Sequence, residues 1–72
     1  MQVLAPCPGR VFAITEVSDP VFAAEMVGPG IALDPTPQRT TVVAPVAGTI
    51  LKLHPHAFAM LTAEGVGVLV HL

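Results

Sequence analysis

Three histidines, His54, His56 and His71, crowd the C-terminal part of this 72-residue chain. An imidazole whose ordinary pKa is about 6.5 is largely unprotonated near pH 7, so one ring nitrogen can act as a nucleophile. Such a nitrogen can take up a phosphoryl group as a covalent intermediate. A second imidazole can orient the first by a hydrogen bond or donate to the phosphoryl oxygens, while apolar neighbours dock a partner and limit hydrolysis by water. Two plainer readings stand beside this one. Both histidines can be half-buried strand residues, or two ligands of a zinc site, for which no third ligand of suitable type follows. Cys7 is the single cysteine; it cannot form an internal disulfide and has no Cys or His at metal-site spacing, so it reads as a small apolar residue. No metal site and no cofactor is expected.

A hairpin can bring two of these histidines together. Thr62-Ala63-Glu64-Gly65 is a turn between Ala57–Leu61 and Val66–Leu72, with Gly65 able to adopt positive φ. Pairing symmetric about the Ala63–Glu64 bond puts His56 opposite His71, Phe58 opposite Leu69 and Met60 opposite Gly67 on one side. Val66, Val68 and Val70 then project from the other side with Ala57, Ala59 and Leu61. A bulge at Gly65 would move this register by one residue. His54, separated from His56 by Pro55, reads as a loop residue.

The rest of the chain supplies the scaffold. Eight prolines and six glycines cut it into short segments in which β-branched residues dominate, at Val42-Val43, Thr49-Ile50-Leu51 and Val66 through Val70, a pattern of several short strands. One stretch reads as a helical turn: Asp19 caps it, Pro20 takes the first helical position, and Gly28 supplies the left-handed residue that ends it. The segment Leu4-Ala5-Pro6-Cys7-Pro8-Gly9-Arg10-Val11 realigns onto Val43-Ala44-Pro45-Val46-Ala47-Gly48-Thr49-Ile50 at constant offset. In both copies the proline ends pairing, the glycine permits a tight turn, and the apolar positions after it enter a strand. Two such units predict an all-β fold, a sandwich or barrel built on a duplicated motif.

Composition narrows the function. Hydrophobic residues make up 53% of the chain and charged ones 11%, more apolar surface than so small a core can hide, so part of it meets a partner or further parts of a domain. Every apolar run is interrupted well short of the ~20 residues that cross a bilayer. The N-terminus lacks the basic start and continuous apolar segment of a signal peptide. These features give the expectation of a soluble, cytoplasmic chain with no direct membrane insertion. The formal net charge of −2, with no basic cluster, argues against nucleic-acid binding.

Four segments in order, Val21 through Pro35, Val43 through Ile50, His56-Ala57-Phe58, and Gly65 through Leu72, resemble the glucose-type enzyme IIA domain of the phosphoenolpyruvate-dependent sugar phosphotransferase system. The resemblance implies a β-sandwich of the duplicated hybrid motif type with one short helical turn. It implies that His71 is the phosphorylated histidine and His56 its active-site neighbour. It also implies that the phosphocarrier HPr donates the phosphoryl group and that a sugar-specific IIB domain of a membrane permease accepts it. Phe22, Val27, Phe58 and Leu69 are then the partner-binding positions. The chain departs from the family pattern in two ways. The segment before His56 is short and lacks the usual threonine, and the Gly-Ile-Asp-Thr-Val stretch expected after His71 is absent. Residues 1–72 accordingly read as the N-terminal portion of a single IIA domain whose C-terminal half is missing, with weakened or no transfer expected.

Two other classes remain open. A noncatalytic binding or regulatory module would use the same apolar face. A biotin- or lipoyl-carrier half-barrel would draw on Ala44 through Thr49, but Lys52 follows that motif directly instead of sitting on a distant hairpin tip.

Overall fold

The computed structural model describes residues 1–72. Five short strands form two antiparallel sheets, and a 3₁₀ turn and one short helix lie between the two strands of the first. The chain divides into two compact units, Cys7–Thr41 and a second made of Met1–Pro6 with Val42–Leu72.

In the Cys7–Thr41 unit, β1 (Gly9–Ala13) pairs with β2 (Ile31–Pro35), and Gly9 faces Pro35 while Ala13 faces Ile31. Gly9 is required at the start of this ladder, because a Cβ there would collide with the Asp34 carbonyl oxygen. The strand Ile31–Pro35 carried no distinct sign in the sequence, where it lies between Pro-Gly and Pro-Thr-Pro. Opposite charges across the ladder, Arg10 and Asp34, form an exposed 4.0 Å ion pair, which contributes little in full contact with water.

Between these strands lie the 3₁₀ turn, Ile14–Glu16, and α1, Pro20–Ala23. The expected start of the helix is observed. Asp19 Oδ1 accepts hydrogen bonds from the backbone N–H of Val21 (2.9 Å) and Phe22 (3.3 Å), with Pro20 at the first position. Its end differs from the expectation. The Glu25 N–H donates to Phe22 O at 2.9 Å and the Met26 N–H to Val21 O at 3.1 Å, a Schellman pair that satisfies the last carbonyls after a single turn. Glu25, not Gly28, therefore takes the left-handed conformation (φ 55°). Gly28, at φ 152°, redirects the chain toward Pro29.

The second unit is built on a three-stranded sheet in the order β3 (Thr49–His54), β4 (Ala57–Leu61), β5 (Gly67–His71). Its best-buried apolar side chains are Met60 (3% exposed), Ala57 and Val46. Two of these lie on the central strand, which has a neighbour on each side. The β4–β5 turn is a three-residue loop. The Gly65 N–H donates to Thr62 O at 3.0 Å and the Thr62 N–H to Val66 O at 3.0 Å, with Gly65 at φ 86°. The buried Thr62 closes the loop by accepting the Val66 N–H on its Oγ1 at 3.0 Å.

That loop replaces the symmetric hairpin register with the one-residue shift expected of a bulge at Gly65. Ala57 faces His71, Phe58 faces Val70, Ala59 faces Leu69 and Met60 faces Val68, one residue away from the symmetric pairing, because Gly65 occupies an extra left-handed position. Ala57, Ala59, Leu61, Leu69 and His71 thus share one face of the ribbon, while Phe58, Met60, Val68 and Val70 share the other.

The two repeat copies are related in space as well as in sequence. The Leu4 N–H donates to Pro45 O at 2.8 Å, and the Val43 N–H donates to Pro6 O at 2.8 Å. Leu4 matches Val43 and Pro6 matches Pro45 in the repeat, so the bonds are reciprocal. Gly48 repeats the role of Gly9, since a Cβ on it would collide with the Leu61 carbonyl oxygen. Val42-Val43 makes only this single exchange and forms no strand.

Candidate histidine site

The site starts from Pro55. A proline suits the first central position of a tight turn, and Pro55-His56 forms a two-residue loop closed by the His54–Ala57 pair. His54 therefore ends β3 and is not a loop residue. Its partner Ala57 also pairs with His71, so His54, Ala57 and His71 form one row across three strands and share one face of the sheet. Lys52, two residues before His54 and paired with Ala59, lies on that same face.

His56 lies in the turn, where strand alternation does not fix its direction. Its ring sits between the other two. The His56 and His71 centroids are 5.6 Å apart at 78°, edge to face, and the His54 and His56 centroids are 5.8 Å apart at 28°, stacked. The backbone ties the same end of the sheet together, with the Leu72 N–H donating to His56 O at 2.7 Å. The expected meeting of His56 and His71 is thus observed, although the register expected to produce it is not. His54, a candidate stand-in for the family's missing threonine though read as a loop residue, joins the group as the strand end of a tight His-Pro-His turn.

All three imidazoles are exposed. Within their unit the only charged side chains are Lys52 and Glu64, and Glu64 lies in the loop at the opposite end of the β4–β5 hairpin. No group of three His, Cys, Asp or Glu side chains is arranged to hold a metal ion. Small and apolar side chains flank the row: Ala57 is buried, Ala59 half-buried and Leu69 exposed.

Of the other positions singled out in the sequence, Leu69 lies on the histidine face. Phe58 lies on the opposite face with Val70, half-buried, which corrects the expectation that it shares a side with His71. Phe22 is half-buried in α1, and Val27 is exposed just beyond it in the Cys7–Thr41 unit. Cys7 is partly buried and unpaired by any disulfide. No helix is long and apolar enough to cross a membrane.

A duplicated Pro-x-x-Gly motif feeding antiparallel sheets, with paired histidines at one sheet end, defines a class that comparison with known proteins makes specific. The model of the family described as phosphoenolpyruvate-dependent sugar phosphotransferase system, EIIA 1, matches residues 1–72, and the chain belongs to that family. It is 43% identical over 72 residues to the glucose-specific EIIA component of Bacillus cereus, covering 97% of this chain and 42% of that protein. It is 40% identical over 74 residues to the mannose-specific EIIBCA component of Corynebacterium glutamicum, covering 100% of this chain and 10% of that one. The solved structure of glucose permease IIA from Mycoplasma capricolum superposes with a TM-score of 0.89 at 40% identity, over 99% of this chain and 46% of that one. The chain spans less than half the length of each of these relatives.

Proposed function

We propose that the chain carries the histidine site of a phosphoryl carrier for sugar uptake, with His71 as acceptor and His56 as its assistant. The observation that carries this reading is the edge-to-face His56–His71 pair, 5.6 Å between centroids. In the reaction, the lone pair on an unprotonated His71 ring nitrogen attacks phosphorus in a phosphohistidine of HPr. The new N–P bond forms as the donor's N–P bond breaks, and the donor histidine leaves as neutral imidazole. His56, its ring nearly perpendicular to that of His71, donates an N–H to the phosphoryl oxygens as charge redistributes over them. The reverse bond exchange passes the group to a IIB domain.

The partners follow from the family and from relatives whose names join EIIA to EIIB and EIIC in one chain. Those names carry glucose in one case and mannose in another, so the proposal specifies a sugar permease and no particular sugar. Leu69, on the histidine face, is proposed as a docking contact, Phe22 and Val27 of the Cys7–Thr41 unit as further partner-binding positions, and Phe58 as support on the other face of the sheet. The work would be done in the cytoplasm, with residues 1–72 supplying the N-terminal portion of the IIA domain.

Incubation with phosphorylated HPr should leave an acid-labile phosphohistidine on His71. His71→Ala should abolish it, and His56→Ala should slow it about 100-fold. Labelling unchanged in His71→Ala refutes the reading. A noncatalytic binding module is the second reading, favoured by the exposed apolar side chains Leu53, Leu61 and Leu69; partner binding that survives replacement of both His56 and His71, with no labelling of the parent chain, would select it.

A further inference from the structure

We propose that His54 is a positioning residue of this site, holding the His56 ring nearly perpendicular to that of His71 by stacking against it. The inference rests on the phosphocarrier reading, which it extends by one residue. His56 occupies a two-residue turn and is exposed, so neither strand pleat nor core packing fixes its ring. An exposed side chain of this kind samples several rotamers unless a neighbour restricts it. The neighbour present is His54, whose ring lies 5.8 Å from that of His56 and 28° from parallel, an arrangement favourable for flat π systems.

His54 is itself anchored, as the last residue of β3, by its pairing with Ala57. The small side chain of Ala57 separates His54 from His71 in the row. Because neighbouring strands are about 4.8 Å apart, His54 and His71 stand about 10 Å apart across that row, too far for direct support of His71. His54 therefore acts through His56.

The ring, more than its nitrogens, does this positioning, and that separates the proposal from a general role in folding. His54→Ala should slow phosphoryl uptake by His71 about tenfold, the scale expected when a reacting geometry loosens. His54→Phe, which keeps a stacking ring without an N–H, should restore the rate to within about threefold of the parent chain. In parallel, NMR on the 72-residue chain should detect close proton contacts between the His56 and His71 rings in the parent and in His54→Phe, lost in His54→Ala while the backbone amide shifts of Ala57–Leu61 stay in place. His54→Ala that retains both rate and ring contacts overturns the proposal, as does His54→Phe that behaves like His54→Ala. If neither the parent chain nor a full-length IIA domain carrying these residues takes up a phosphoryl group, the phosphocarrier reading fails by itself, and the ring contacts alone decide the role of His54.

Discussion

Thr62 and Glu25 show how single residues hold the turns on which the sheets depend. Thr62 is 4% exposed, and its Oγ1 accepts the Val66 N–H within the β4–β5 loop. Thr62→Val keeps the shape and removes the acceptor, leaving that N–H without its partner, and should lower unfolding free energy by about 1–2 kcal/mol in urea titration. Glu25 works against the fold. Its left-handed backbone brings Cβ against the following carbonyl, a cost that glycine avoids. Glu25→Gly should raise stability by roughly 0.5–1 kcal/mol, the strain relief exceeding the added freedom of the unfolded chain; a loss of stability in the same titration would show that the glutamate side chain makes a compensating contribution.

At the level of strands, the two glycines of the repeat set how closely each hairpin can approach. A Cβ on Gly48 meets backbone, which cannot rotate away, whereas one on Gly67 meets nothing within 4 Å. Gly48→Ala should cost more than about 2 kcal/mol, and Gly67→Ala should change stability by less than about 0.5 kcal/mol; equal effects would remove the close approach as the reason for the repeated glycine. This repeat was legible in the sequence because a backbone clash leaves a residue-type signature. Strand register left a weaker one. Gly65 was recognised as a positive-φ residue, yet whether it adds one position to the loop depends on the hydrogen bonds of Thr62 with Val66, which residue types alone do not fix. That one position moved Phe58 to the face away from His71. The His56–His71 contact was nevertheless reached, because His56 escapes strand parity by lying in a turn. His54 was read as loop since a residue before proline reads equally well as loop or as strand end. The Glu25 cap was hidden for a similar reason, with a glycine three residues later offering the more favourable left-handed residue.

For the molecule as a whole, the balance between buried and exposed apolar surface governs behaviour. Three apolar side chains are well buried, while Leu51, Leu53, Leu61, Val66 and Leu69 of the three-stranded unit are exposed. Fusing to this chain the part of the Mycoplasma capricolum IIA protein that it does not align with should cover some of that surface. Urea unfolding of the fusion should then show a higher midpoint and a slope that rises with the added buried area, and phosphoryl uptake by His71 should rise with it; uptake equal to that of the 72-residue chain would show that the site is already complete. The reciprocal bonds of Leu4 with Pro45 and Val43 with Pro6 carry a consequence for the order of events during synthesis. The β1–β2 hairpin closes over a short stretch and can form while the chain is still growing, but Leu4 has no partner until Pro45 has left the ribosome. Leu4 is thus fixed in place only after a segment made well behind the β1–β2 hairpin has emerged, and it waits unpaired until then.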